Sequence, residues 1–322
     1  MFEERSKAAW ALYLAIFLTF LGYTGRAIEL EPLRSQFFPF AAWAYILFAD
    51  NITFRLRGSS LAASRTGEFL CLALWSAAIC ALLELLNLRL HAWHYIDQPA
   101  TLSTRWAGRI LSWAAILPSL FVTAELPPVS LLRGFKFRPL PVTPLLIRSF
   151  YAAGLAALGL ALALPGRLWP LAAAGLLLLA EPLTFRLGLG SLLREWQGGL
   201  PAKTLRLALA GVICGLLWNY WNNAAGAALV CPFPFKAGPF ALGLPLLAWA
   251  GFALAGPLAY SLYSLASALR EGKTWEEGAW PMPGGPLSLK VRGVALILIV
   301  IAFYAALRAV DSNTVQVFIG WI

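Results

Sequence analysis

The chain is poor in charge, in histidine and in cysteine. Asp, Glu, Lys and Arg make up only 12% of its 322 residues, about half the share of a soluble domain, which is too little to cover a water-facing surface. The two histidines are His91 and His94, and the four cysteines (Cys71, Cys80, Cys214, Cys231) have no metal-ligand spacing. Three of the cysteines lie in apolar runs and read as small buried residues. No P-loop, Rossmann fingerprint or zinc motif occurs, and no soluble domain is appended. The alternation of a membrane β-barrel is also missing. The opening MFEERSKAAW has no evident small-residue cleavage site, so the first apolar run reads as a retained helix.

Long apolar runs are what the chain has instead. It is 60% hydrophobic, and its runs of about 20 residues each suffice to cross ~30 Å of hydrocarbon. The expected fold is an all-α, polytopic transmembrane helical bundle. We place about nine spans, near 8–25, 36–54, 67–89, 107–125, 146–165, 168–185, 204–224, 238–265 and 291–310. With the N-terminus in the cytoplasm, 17 of the 25 basic residues fall in cytoplasmic segments. That bias predicts an inner-membrane protein with its C-terminus outside. The net charge of +10 is explained by this topology and implies no nucleic-acid partner.

The chain contains one stretch twice. Phe38–Leu61 aligns without a gap on Trp169–Leu192, offset by 131 residues, with 11 identities in 24 positions. Asp50 meets Glu181, Thr53–Leu56 meets Thr184–Leu187, and Ser60-Leu61 meets Ser191-Leu192. An even number of spans per copy makes the copies parallel, related by an axis along the membrane normal. The expected organisation is two tandem four-span repeats plus one extra C-terminal span. The units are 1–126, a cytoplasmic linker 127–145, a second repeat 146–270, a cytoplasmic loop 271–290 and a C-terminal span 291–322.

Polar residues inside the runs are the candidate site. Glu84 and Asn87 are spaced to share one helix face, and at an offset of 135 they meet Asn219 and Asn222. Glu84 lies about 25 Å along its helix, where an ionisable group faces a bundle interior or a cavity. It could act as an acid, a proton carrier or a cation ligand. It could equally tie spans together by hydrogen bonds, with Asn219 or Asn222 as partners across the pseudo-axis. His91 and His94, at the outer boundary, could assist in acid–base chemistry or serve as interfacial side chains. Trp93, Tyr95, Trp218 and Trp221, with Asn87, Asn219 and Asn222, could line a pocket for a hydrophobic ligand. No metal set is assigned, and the cofactor is left open. Asp50 with Arg55, and Glu181 with Arg186, read as structural ion pairs, within a unit or between units; the arginines could instead bind a headgroup phosphate.

The pattern Glu84-x-x-Asn87, then Trp93-x-Tyr95, together with DNITFRLRGSSL, resembles uncharacterised bacterial polytopic membrane proteins in which both motifs are duplicated. The resemblance covers about residues 36–240 and implies no particular activity. The tandem units are also loosely similar in style to membrane carotenoid cyclases, whose Pro-Glu-Glu motif is absent here. Three functions fit these features. The first is an intramembrane enzyme acting on a lipid or isoprenoid, with Glu84 as acid/base. The second is a transporter with a site between the repeats. The third is a non-catalytic subunit anchoring partner membrane subunits.

Overall fold

The computed structural model describes residues 2–126, 136–234, 240–241, 244–276, 279–280 and 282–312. Part of the linker (127–135), positions 277, 278 and 281 of the later loop, and 313–322 lie outside the described residues. Among the described residues nine long helices carry the fold: α1 (Phe2–Ala27), α2 (Phe37–Arg57), α3 (Thr66–Leu90), α4 (Leu102–Glu125), α5 (Pro144–Ala163), α6 (Leu171–Arg186), α7 (Ala202–Ala224), α8 (Leu246–Ser267) and α9 (Leu289–Val310). Among the described residues seven of these, all but α6 and α7, are long and apolar enough to cross a membrane. Helix α6 has only 16 residues, and α7 begins with Lys203 and Arg206 in its first two turns.

Local chemistry explains the boundaries. Helix α2 stops at Gly58, whose positive φ of 77° lets its N–H reach back to the Phe54 carbonyl. Ser60 then caps the single turn Leu61–Ser64. Thr143 caps α5, with Pro144 as the first helical residue. Pro118, Pro182 and Pro257 lie inside α4, α6 and α8, a placement that neighbouring helices make tolerable in membrane proteins.

Helix α2 packs on α1 and α4, and α3 packs on α4 and α9. Further along, α6 packs on α5 and α8, and α7 on α8. The two groups meet where α7 lies against α2 and α4. Small residues bring the backbones together within the second group. A side chain begun on Gly256 would stand 2.0 Å from the Leu207 carbonyl, and one on Gly211 would stand 2.1 Å from the Phe252 carbonyl. Helices α7 and α8 therefore touch backbone to backbone. The main core runs through both groups, from Ile46, Leu72 and Phe121 to Leu207, Cys214 and Tyr260.

Among the described residues there are also two short antiparallel ladders. Strand β1 (His94–Ile96) pairs with β2 (Ala228–Val230), with His94 opposite Val230 and Tyr95 opposite Leu229. Strands β3 (Phe240–Ala241) and β4 (Leu244–Pro245) form the second ladder. The β1–β2 ribbon joins the loop after α3 to the loop after α7 at one end of the bundle.

Candidate functional site

Glu84 sits in the last two turns of α3, 3% exposed, directly beneath β1. Its carboxylate is fully engaged. The Trp93 Nε1–H donates to one oxygen at 3.1 Å, and the Tyr95 hydroxyl donates to the other. Burial, followed by the neighbouring Glu84 charge, holds the Tyr95 phenol well above its ordinary pKa, so Tyr95 remains the donor. The Arg109 guanidinium lies over the Tyr95 ring, 4.5 Å from its centroid. Behind it, Asp311 at the foot of α9 accepts from Arg105 Nε at 3.2 Å and from Trp106 Nε1 at 2.6 Å, and lies 3.7 Å from Arg109. Glu84, Arg109, Asp311 and Arg105 are all buried. Two carboxylates against two guanidiniums make the cluster formally neutral, which is how buried charge is tolerated.

Asn87, one turn on, seals the same loop. It donates to the Trp93 carbonyl at 2.8 Å and accepts from the Ala92 N–H at 2.8 Å. Asn222 does the equivalent work after α7, donating to the Leu229 carbonyl at 2.8 Å and accepting from the Leu229 N–H at 2.7 Å.

The other expected residues are placed differently. His91 is exposed and ends α3 in the left-handed region, with φ 50°; His94 is exposed in β1. Neither histidine is among the donors to Glu84. Asn219 and Asn222 do not reach Glu84 either; the loop residues Trp93 and Tyr95 fill the places expected for them. Trp221 is buried in the core between the two helix groups, 5.8 Å from the Tyr45 ring and 6.3 Å from Phe38, with Trp218 packed against the same core. Tyr45 bonds Thr123 at 2.7 Å, and Thr123 in turn contacts Cys214 at 3.3 Å, so this inter-group space is filled by side chains.

The expected ion pairs at the opposite end give way to loop caps. Asp50 accepts from the Ser60 hydroxyl at 2.6 Å and the Ala62 N–H at 2.9 Å. Glu181 accepts from the Ser191 hydroxyl at 2.9 Å, from the Leu192 and Leu193 N–H groups, and from the Ser261 hydroxyl. Among the described residues neither carboxylate pairs with Arg55 or Arg186; the Arg186 guanidinium lies over the Tyr151 ring at 5.3 Å. The physical reason is reach: the serine follows the carboxylate after a tight turn, whereas the arginine five places on lies on another side of the helix.

Two clusters had no sequence signal. One is the Asp311 group, whose partners are 205 and 206 positions apart. The other surrounds Lys203, which lies 2.8 Å from Glu195 and 2.9 Å from Glu276. Among the described residues no three His, Cys, Asp or Glu side chains form a metal site.

Seven apolar helices of membrane-crossing length among the described residues mark a predominantly helical integral membrane protein. No protein-family model, curated protein or solved structure matches the chain.

Proposed function

We propose that this chain is an architectural membrane subunit, a rigid body that holds partner membrane subunits in the lipid. One observation carries the reading. Asp50, Glu84, Glu181 and Asp311 are the buried carboxylates among the described residues, and both oxygens of each are filled by the chain's own donors. Each one pins a loop or a distant helix. A reactive carboxylate needs a free oxygen facing a substrate, and a transport path needs space between the helix groups, where Tyr45, Thr123, Cys214 and Trp221 pack.

The reading includes nine spans in two parallel four-span units plus α9, with the N-terminus on the cytoplasmic side of a bacterial inner membrane. Repeated geometry supports the duplication. Asp50 with Ser60 and Ala62 corresponds, 131 positions on, to Glu181 with Ser191 and Leu193. The contacts of α1, α2, α3 and α4 recur in α5, α6, α7 and α8. At the offset of 135, His94 faces the counterpart of Tyr95, and Tyr95 faces the counterpart of His94, as a two-fold axis requires.

A second reading is favoured by the Tyr95–Glu84 contact beside Arg109: acid–base chemistry at the outer end on a lipid or isoprenoid. Purification from native membranes in mild detergent, for wild type and Glu84→Gln, separates the two. A partner membrane protein held at one fixed ratio in both supports the architectural reading. A solitary chain carrying a lipid or isoprenoid that is lost or chemically altered only in Glu84→Gln refutes it and supports the second.

A further inference from the structure

We infer that the cleft between the α1–α2 loop and the end of α7 is a lipid-headgroup site, and that it takes a phosphoethanolamine group. The cleft has a volume of about 450 Å³ and is lined by Arg26, Ala27, Glu29, Arg34 and the turn of Ala224, Ala225 and Gly226. That size falls within the range of roughly 300–1,000 Å³ that holds small molecules. The lining is mostly polar.

Two arginines flank the turn. The Arg26 Nε–H donates to the Ala224 carbonyl at 2.7 Å, and among the described residues its terminal nitrogens have no hydrogen-bond partner. On the other side, the Arg34 carbonyl accepts from the Gly226 N–H at 2.9 Å. A side chain begun on Gly226 would stand 2.9 Å from the Arg34 Cγ, so glycine is what lets the Arg34 stem lie along the turn. Among the described residues the Arg34 guanidinium makes no hydrogen bond or ion pair, and Glu29 pairs with neither arginine. Three charges thus share one cleft without neutralising one another. A phosphate bridging Arg26 and Arg34, with its ammonium on Glu29, pairs all three.

The surroundings point to a lipid. The cleft closes the end of α1, a helix of membrane-crossing length. One turn deeper, Tyr23 on α1 and Tyr220 on α7 are exposed and their hydroxyls interact; Phe20 is exposed a further turn along. These rings offer acyl chains an apolar surface leading away from the headgroup, at the level where tyrosine is favoured. None of these residues belongs to the Glu84 cluster, so the site does not depend on the architectural reading.

The test uses the full chain in a non-ionic detergent and isothermal titration with four probes: dioctanoyl phosphatidylethanolamine, dioctanoyl phosphatidic acid, dioctanoylglycerol and O-phosphoethanolamine. Saturable binding of phosphatidylethanolamine is expected, with dioctanoylglycerol at least ~10-fold weaker. Arg34→Gln breaks no side-chain bond of the fold and should weaken phosphatidylethanolamine at least ~10-fold. Arg89→Gln, in the last turn of α3 at the same end but outside the cleft, should leave the affinity unchanged. Glu29→Gln should weaken phosphatidylethanolamine and not phosphatidic acid. O-phosphoethanolamine binding as tightly as the lipid would support the charge pattern and assign the site to a soluble phosphoester. Dioctanoylglycerol binding as tightly as phosphatidylethanolamine overturns the inference, as does an Arg34→Gln affinity equal to wild type or to Arg89→Gln. A Glu29→Gln variant that loses neither lipid, or both equally, overturns the phosphoethanolamine assignment.

Discussion

Removing the Glu84 carboxylate should loosen one end of the protein by a calculable amount. In Glu84→Ala, the Trp93 indole and the Tyr95 hydroxyl both lose their acceptor. An unpaired buried donor costs roughly 1–3 kcal/mol. Both rings are only half-buried, so the lower figure applies to each, about 2 kcal/mol together. At the shallow end of roughly 2–4 °C per kcal/mol, the melting midpoint in detergent should fall by about 4 °C. Glu84→Gln keeps one acceptor oxygen and should lose about half as much. A cycle pairing Glu84→Gln with Tyr95→Phe should return a coupling of about 0.6–1.7 kcal/mol, from the average to the maximum for hydrogen bonds inside membrane proteins. The loss should also be local. Hydrogen exchange should accelerate at residues 92–96 and 228–230, which share the β1–β2 ladder, and not along α5. A Glu84→Ala midpoint within about 1 °C of wild type, with unchanged exchange in the ribbon, would refute the reasoning.

Further outcomes follow from other parts of the fold. Gly256→Ala, whose new carbon would stand 2.0 Å from a backbone oxygen, should cost about 1–3 kcal/mol in the same thermal assay. Gly251→Ala, which meets open space, should cost nothing measurable. Asp311→Ala removes the carboxylate that Arg105 and Arg109 share and should cost about 3–5 kcal/mol, with α9 becoming the first segment cut by limited proteolysis; a wild-type cleavage pattern would count against the clamp. Burial, with a smaller contribution from the Glu84 charge, pushes the Cys231 thiol up to about 11. Because a thiol is neutral below its pKa, alkylation at pH 8 should run roughly 200-fold slower than for a free cysteine and rise about tenfold per pH unit. Glu84→Gln removes the negative charge that favours the neutral thiol, so it should speed labelling; an unchanged rate would mean that Glu84 carries no charge.

Much of the helical architecture is legible in the sequence because apolar runs and basic connections are local signals. Each expected stretch overlaps a helix, seven of which are apolar and long enough to cross a membrane, but the stretch expected over 238–265 is helical only from Leu246, its start falling on β3, β4 and positions outside the described residues. Asn87 and Asn222 share a face with Glu84 and Asn219 by spacing alone, and their matching loop bonds follow from their matching distance to the following turn. The partner of Asp50 was also in plain view: Ser60 stands inside the aligned block, as Ser191 does for Glu181. Charge made the nearby arginines look like the natural partners, whereas the tight turn decides for the serines. The aromatic residues expected to line a pocket divide between two jobs, Trp93 and Tyr95 holding Glu84 and Trp221 filling the core. Asp311 and Lys203 were not legible, because their partners depend on which distant helices become neighbours.

The Asp311 cluster also sets a schedule for biogenesis. Arg105 and Asp311 are separated by 206 residues. At about 5–20 residues per second, Arg105 and Arg109 are synthesised roughly 10–40 s before the Asp311 carboxylate exists. Through that interval the two guanidiniums have Glu84 as the one carboxylate of the cluster, one charge short of neutral. Arrival of α9 supplies Asp311 and closes the cluster.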